Sequence, residues 1–188
     1  NNLLDFEQNS CIERSADVCI VGAGTAGLFL ARSLIKAKLK VILIELGGES
    51  TLSAEHSFDE PTYSKENFLG AKFGRVSGLG GTSAKWGGQM ITLAESDFLY
   101  SDTESGEPLW PIDFNELESY YKKVARTLRI VDPSDDRILD SSVGSLVALS
   151  DLSEYFELRA SSWIPFRRRN FAKGFKRTIH NSDLLEIW

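Results

Sequence analysis

Residues 17–45, DVCIVGAGTAGLFLARSLIKAKLKVILIE, constrain this chain more than any other stretch. An apolar run ending in Cys19, Ile20 and Val21 is followed at once by Gly22, Gly24 and Gly27, at the spacing G-x-G-x-x-G. A helical pattern comes next, with an apolar stripe of Leu28, Ala31, Leu34 and Ile35. Val41, Ile42, Leu43 and Ile44 then form a second apolar run that closes on a carboxylate, Glu45. The order predicts a βαβ unit. Gly22 permits a tight turn out of the strand, Gly24 lets a pyrophosphate approach the backbone, and Gly27 lets the helix pack closely on the strand. The N–H groups at the helix start, from Thr25 and Ala26 onward, would face phosphates with the positive end of the helix dipole behind them. Glu45, at the end of the second strand, is placed to accept hydrogen bonds from a ribose diol. A glycine turn serving packing alone is the competing explanation, and it leaves Glu45 as coincidence.

Glu45 also bears on which dinucleotide is expected. A 2′-phosphate would bring a second anion against the carboxylate, which disfavours NADP and leaves NAD or FAD. A second glycine block, residues 74–90, reads GRVSGLGGTSAKWGGQM. Gly78, Gly80, Gly81, Gly87 and Gly88, with Thr82 and Ser83, offer unblocked N–H donors and hydroxyls. They suit a second backbone surface along a long ligand such as FAD. An ordinary flexible loop is the alternative, and Trp86 counts against it, because a large ring amid glycines needs something to pack on. Arg75 meets either a phosphate or the surface, with equal support.

Taken in order, VGAGTAG…IE, GRVSGLGGTSAKWGG and WPIDFNELESYY resemble the glucose–methanol–choline (GMC) family of FAD-dependent oxidoreductases, and within it the pyranose-oxidase-like branch. The first motif is shared by many flavoproteins; the other two together are more specific. The resemblance covers most of residues 15–188 and is to the N-terminal portion of such proteins. It implies FAD held by Gly22, Gly24, Gly27 and Glu45, with Gly80, Gly81, Thr82 and Ser83 lining the flavin or pyrophosphate, and Trp86 and Gly87 beside them. Trp86 falls where that branch also has tryptophan. Lys85 stands where the branch has the histidine that tethers its flavin, so a histidyl link is not expected there. The implied activity is oxidation of a CH–OH group of a sugar, polyol or other alcohol by hydride transfer to flavin. The family's catalytic histidine lies downstream of these motifs, so no catalytic residue is assigned, and the piece ending at Trp188 is expected to lack the base. His56 and His180 read as surface or turn histidines. Two rival readings are a short non-catalytic FAD-binding or interaction module and an NAD-linked Rossmann enzyme, against which the WGG block counts.

The expected fold is α/β: a Rossmann-like FAD-binding domain, incomplete, with part of a second, substrate-side region. Residues 1–15 read as a lead and 16–131 as the FAD-binding portion. Residues 132–177 read as a linker and the start of the substrate side, and 178–188 as a strand returning to the first domain. Asp113 opens a capping box with Glu116, and the apolar spacing of Phe114, Leu117, Tyr120, Tyr121, Val124 and Leu128 predicts an amphipathic helix over 114–128, its tyrosines in the core. No chemistry is assigned to 138–160. A net charge of −6 argues against nucleic-acid binding. The basic run in SSWIPFRRRNFAKGFKR reads instead as a solvated face over Phe166, Phe171 and Phe175. The two Cys and two His have no ligand spacing, so no metal is expected. Cys19 reads as a small buried apolar residue, and Cys11 lies in the polar lead. No run approaches the ~18 apolar residues of a membrane helix. The start of the chain also lacks the basic-then-apolar layout of a secretory signal. A small-molecule alcohol or sugar partner and a cytoplasmic, reducing location are expected. The only Met is Met90, so the chain reads as processed, trimmed or internal.

Overall fold

The turn after Val21 sets the architecture. In the computed structural model, which describes residues 13–49, 52–53, 75–98, 110–133, 159 and 161–188, the first apolar run becomes β1 (Val18–Val21). The helical pattern becomes α1 (Thr25–Lys36), and the second run becomes β2 (Val41–Ile44). The described chain continues through β3 (Leu52–Ser53), β4 (Val76–Ser77), β5 (Gln89–Met90) and α2 (Phe114–Leu128). It ends with β6 (Ser162–Trp163), α3 (Phe171–Gly174), α4 (Lys176–Asn181) and β7 (Leu185–Ile187). The fold is α/β, with two compact units: residues 1–87 with 165–188, and residues 88–164.

The first unit is built on a parallel sheet in the order β1-β2-β7. Val18 pairs with Val41 and Val21 with Ile44, while Val41 pairs with Leu185 and Leu43 with Ile187. Parallel neighbours cannot be joined by a hairpin, so each connection leaves the sheet and returns over a face. Alternation then divides the side chains. Ile20, Val41, Leu43, Leu185 and Ile187 share one buried face. Leu28 and Ala31 of α1 are buried with them, as are Phe171, Phe175 and Ile179 from the α3–α4 segment. Phe29 meets Phe171 and Phe175 edge-on, with centroids 5.3 and 5.0 Å apart. The segment 165–177 is therefore an aromatic core under charged side chains: Phe171 and Phe175 are buried, while Arg167, Lys173, Lys176 and Arg177 are exposed. Phe166 departs from that pattern, being exposed beneath the Arg169 guanidinium at 3.9 Å.

Phe171 is 1% exposed and touches rings from α1, the second glycine block and its own segment. Phe171→Ala is expected to cost about 3–5 kcal/mol, the range for removing a buried aromatic ring. A lowered urea midpoint with an unchanged slope would show it.

The opposite face of the sheet corrects the reading of Cys19. The thiol is exposed. Its register places it with Val21 and Ile44, which are 83% and 42% exposed, on the side away from the buried set. An apolar run alone does not say which of its two faces is covered. Cys11 and His56 lie outside the described residues, as does 138–160 apart from Arg159.

In the second unit, β5 pairs antiparallel with β6, Gln89 beside Trp163. α2 spans Phe114–Leu128, and Asp113 caps it, its Oδ1 accepting from the Glu116 N–H at 2.7 Å. Ala125 and Leu128 are its buried residues. Tyr120 is not in the core: it is 47% exposed, with the Lys123 ammonium 4.4 Å from its ring centroid. Tyr121 is half-buried, and its hydroxyl accepts from the Leu93 N–H at 3.1 Å. Among the described residues, no helix is long and apolar enough to cross a membrane, and no cluster of three His, Cys, Asp or Glu could hold a metal.

Candidate functional site

The residues that the sequence marks for a dinucleotide all fall in the first unit. Gly22 follows β1, Gly24 stands just ahead of α1, and Thr25, Ala26 and Gly27 begin that helix. No side chain caps α1. Its first-turn N–H groups have no intrahelical partner, as in any helix, and point out of the helix end with the positive end of the dipole. A methyl group on Gly24 would meet nothing within 4 Å, whereas one on Gly27 would overlap the Gly22 carbonyl oxygen. The two glycines thus do different work. Gly27 closes the helix onto the strand, and Gly24 leaves space at the helix end.

The second glycine block lies against the first. The Gly80 N–H donates to the Ala23 carbonyl at 2.9 Å, and a methyl group on Gly81 would stand 3.0 Å from the Gly24 Cα. Gly80 has φ of 98°, a conformation that only glycine adopts at little cost. It leads into a 3₁₀ turn, Gly81–Ala84. Thr82 is exposed on that turn. Ser83 is buried and held within the protein: its hydroxyl donates to the Gly80 carbonyl at 2.5 Å and accepts from the Phe171 N–H at 3.1 Å. Trp86 packs edge-on against Phe171 and donates its indole N–H to the Arg169 carbonyl at 2.8 Å. Its partners ally it with α3. Arg75, at the start of β4, is exposed, as are Lys85 and Gly87.

Glu45 joins the two blocks. Its carboxylate accepts from Ala23 N–H at 2.7 Å, from Gly78 N–H at 2.8 Å and from Gly47 N–H at 3.1 Å. Gly47 and Gly48 were not singled out in the sequence. A methyl group on Gly47 would overlap the Gly78 backbone, and the Leu79 N–H donates to the Gly48 carbonyl at 3.1 Å. Two consecutive glycines shortly after the end of β2 were the available signal. Asn170 was missed as well. Its Oδ1 accepts from the Lys173 N–H at 3.3 Å and lies where a side chain on Gly80 would go.

A cavity of about 640 Å³ opens beside the second block. It is lined by Leu79, Ala84, Glu49, Asn170, Lys173, Lys176 and His180, among others. That is within the ~300–1,000 Å³ of small-molecule sites. Part of the basic run thus borders a cavity, and His180 sits on α4 rather than in a turn.

This site and sheet are compatible with a Rossmann-like fold, in which a glycine turn between a strand and a helix receives a phosphate-bearing ligand. No family model matches the chain. It is similar to the fructose dehydrogenase large subunit of Gluconobacter japonicus, 24% identical over 161 residues. That match covers 68% of this chain and 30% of that protein. It is also similar to the flavin-containing monooxygenase FMO GS-OX-like 9 of Arabidopsis thaliana, 34% identical over 80 residues, covering 40% of this chain and 16% of that protein. Both relatives are oxidoreductases, and the matches span less than a third of either.

Proposed function

We propose that this chain is the FAD-binding part of an oxidoreductase of the GMC kind, acting on the CH–OH group of a sugar, polyol or other alcohol. The observation that carries the reading is the meeting of the two glycine blocks at the open end of α1. There the space beside Gly24, the uncapped helix N–H groups and the Glu45 carboxylate lie within one backbone cradle. The residues suit a dinucleotide. The N–H groups of Thr25, Ala26 and Gly27 would hold the pyrophosphate, and Glu45 would take the ribose. Gly81 would keep the second block close without adding side-chain bulk. Lys173 and Lys176, at the neighbouring cavity, favour an anionic ligand. Glu45 repels a 2′-phosphate, which selects against NADP. When bound, FAD supplies the redox chemistry, accepting a hydride from the substrate carbon; the protein positions and polarises. The name of the Gluconobacter relative supports a sugar as substrate.

Lys85 offers no imidazole for a covalent flavin link, so the cofactor is expected to be released intact. Acid precipitation of the protein as purified should leave the yellow colour in the supernatant, with FAD the nucleotide recovered. Colour retained in the pellet, with a flavin mass on the Lys85 peptide, would contradict a non-covalent site. Recovery of NADP would contradict the cofactor itself.

A further inference from the structure

Glu45 makes more contacts than a ribose partner requires. One carboxylate oxygen, Oε2, accepts from Ala23 N–H in the first glycine block. The other, Oε1, accepts from Gly78 N–H in the second block and from Gly47 N–H in its own loop. The loop after Glu45 lies on the second block, through the bond from Leu79 N–H to the Gly48 carbonyl and the close approach of Gly47 to Gly78. Hydrogen bonds to an ionised acceptor are the stronger kind. A carboxylate offers about four lone-pair sites. Three N–H donors therefore leave room for about one more, and two ribose hydroxyls donating together would exceed it.

We propose that Glu45 is the clasp that sets the second glycine block against the first. One ribose hydroxyl at most then reaches it without breaking the clasp. The second statement rests on the nucleotide reading above; the first does not. Glu45 is on this view a positioning residue as well as a ligand, and losing it weakens binding even of a nucleotide that has no ribose diol.

Amide exchange in the nucleotide-free protein, followed by NMR, tests the clasp. In Glu45→Ala, the Ala23 and Gly78 amides should exchange at least about tenfold faster, as expected for amides that lose their acceptor in a folded protein. The Gly22 amide, bonded to the Ile44 carbonyl at 2.7 Å, should keep its protection. If Glu45→Ala does not fold, Glu45→Gln carries the test: its one remaining oxygen should keep one of the two amides protected and release the other. Unchanged exchange at both amides in the folded variants would overturn the clasp. Calorimetry with ADP and 2′,3′-dideoxy-ADP tests the consequence. Glu45→Gln should weaken both, ADP by the larger factor because it also loses its ribose contact, and a loss confined to ADP would overturn the positioning role. If neither nucleotide binds the parent protein, the nucleotide reading fails, while amide exchange still decides the clasp.

Discussion

Gly24→Val should leave the protein folded and unable to hold its nucleotide. The backbone at Gly24 has φ −74° and ψ −167°, extended geometry open to any residue, and a Cβ there meets nothing within 4 Å. The fold therefore loses little, about 1 kcal/mol for a poor residue at the position preceding a helix. The ligand loses its seat. The valine side chain would occupy the space at the open end of α1, where the N–H groups of Thr25, Ala26 and Gly27 face out. A loss of at least about 100-fold in affinity for FAD is expected, roughly 2.7 kcal/mol. Calorimetric titration reads the affinity and circular dichroism the melting temperature. Binding within about threefold of the parent would show that Gly24 does not face the phosphates, since about tenfold is only 1.4 kcal/mol.

Gly27→Ala should do the reverse. It lies in the same motif, but its Cβ would overlap the Gly22 carbonyl oxygen and stand 3.2 Å from the Gly22 carbonyl carbon. The obstruction is backbone and cannot rotate away. Relief requires α1 to lift from the end of β1, which opens the packing of Leu28 and Ala31 against the sheet. Overpacking costs ~1–3 kcal/mol where side chains can give way. Here the upper end of that range or beyond is expected. For a chain of this size, about 3 kcal/mol lowers the melting temperature by roughly 6–12 °C. A melting temperature within about 2 °C of the parent would contradict close strand–helix packing at Gly27. Together the two substitutions separate a glycine that serves the fold from one that serves the ligand.

Much of this was legible in the chain before its geometry. β1, α1 and β2 follow from an apolar run, three spaced glycines, a helical stripe and a second run, because each signal is local. α2 begins and ends where Asp113 and the stripe from Phe114 to Leu128 require. What was not legible depends on distant partners. Alternation along β1 separates Ile20 from Cys19 but does not say which is covered; α1 and the segment around Phe171 decide that from one side. Gly47 matters only because Gly78 lies against it, and the Gly47-Gly48 pair marks a turn without naming that partner. Trp86 could be expected to have a packing partner, but Arg169 and Phe171 lie a long way down the chain. Glu45 could be assigned an acceptor's role from its position, yet the three donors described for it are backbone amides drawn together by the fold.

The two glycine blocks and Glu45 are proposed to form a site for FAD. The most direct test is equilibrium titration of the purified protein with FAD, FMN, NAD and NADP under one set of conditions. FAD should bind tightest, because it alone combines a flavin with the adenosine diphosphate half that α1 and Glu45 are proposed to address. FMN should bind at least about tenfold more weakly, a difference of roughly 1.4 kcal/mol. NADP should bind weakest of the dinucleotides, its 2′-phosphate set against Glu45. Binding of NADP as tight as that of FAD, or no binding of any of the four, would contradict the account.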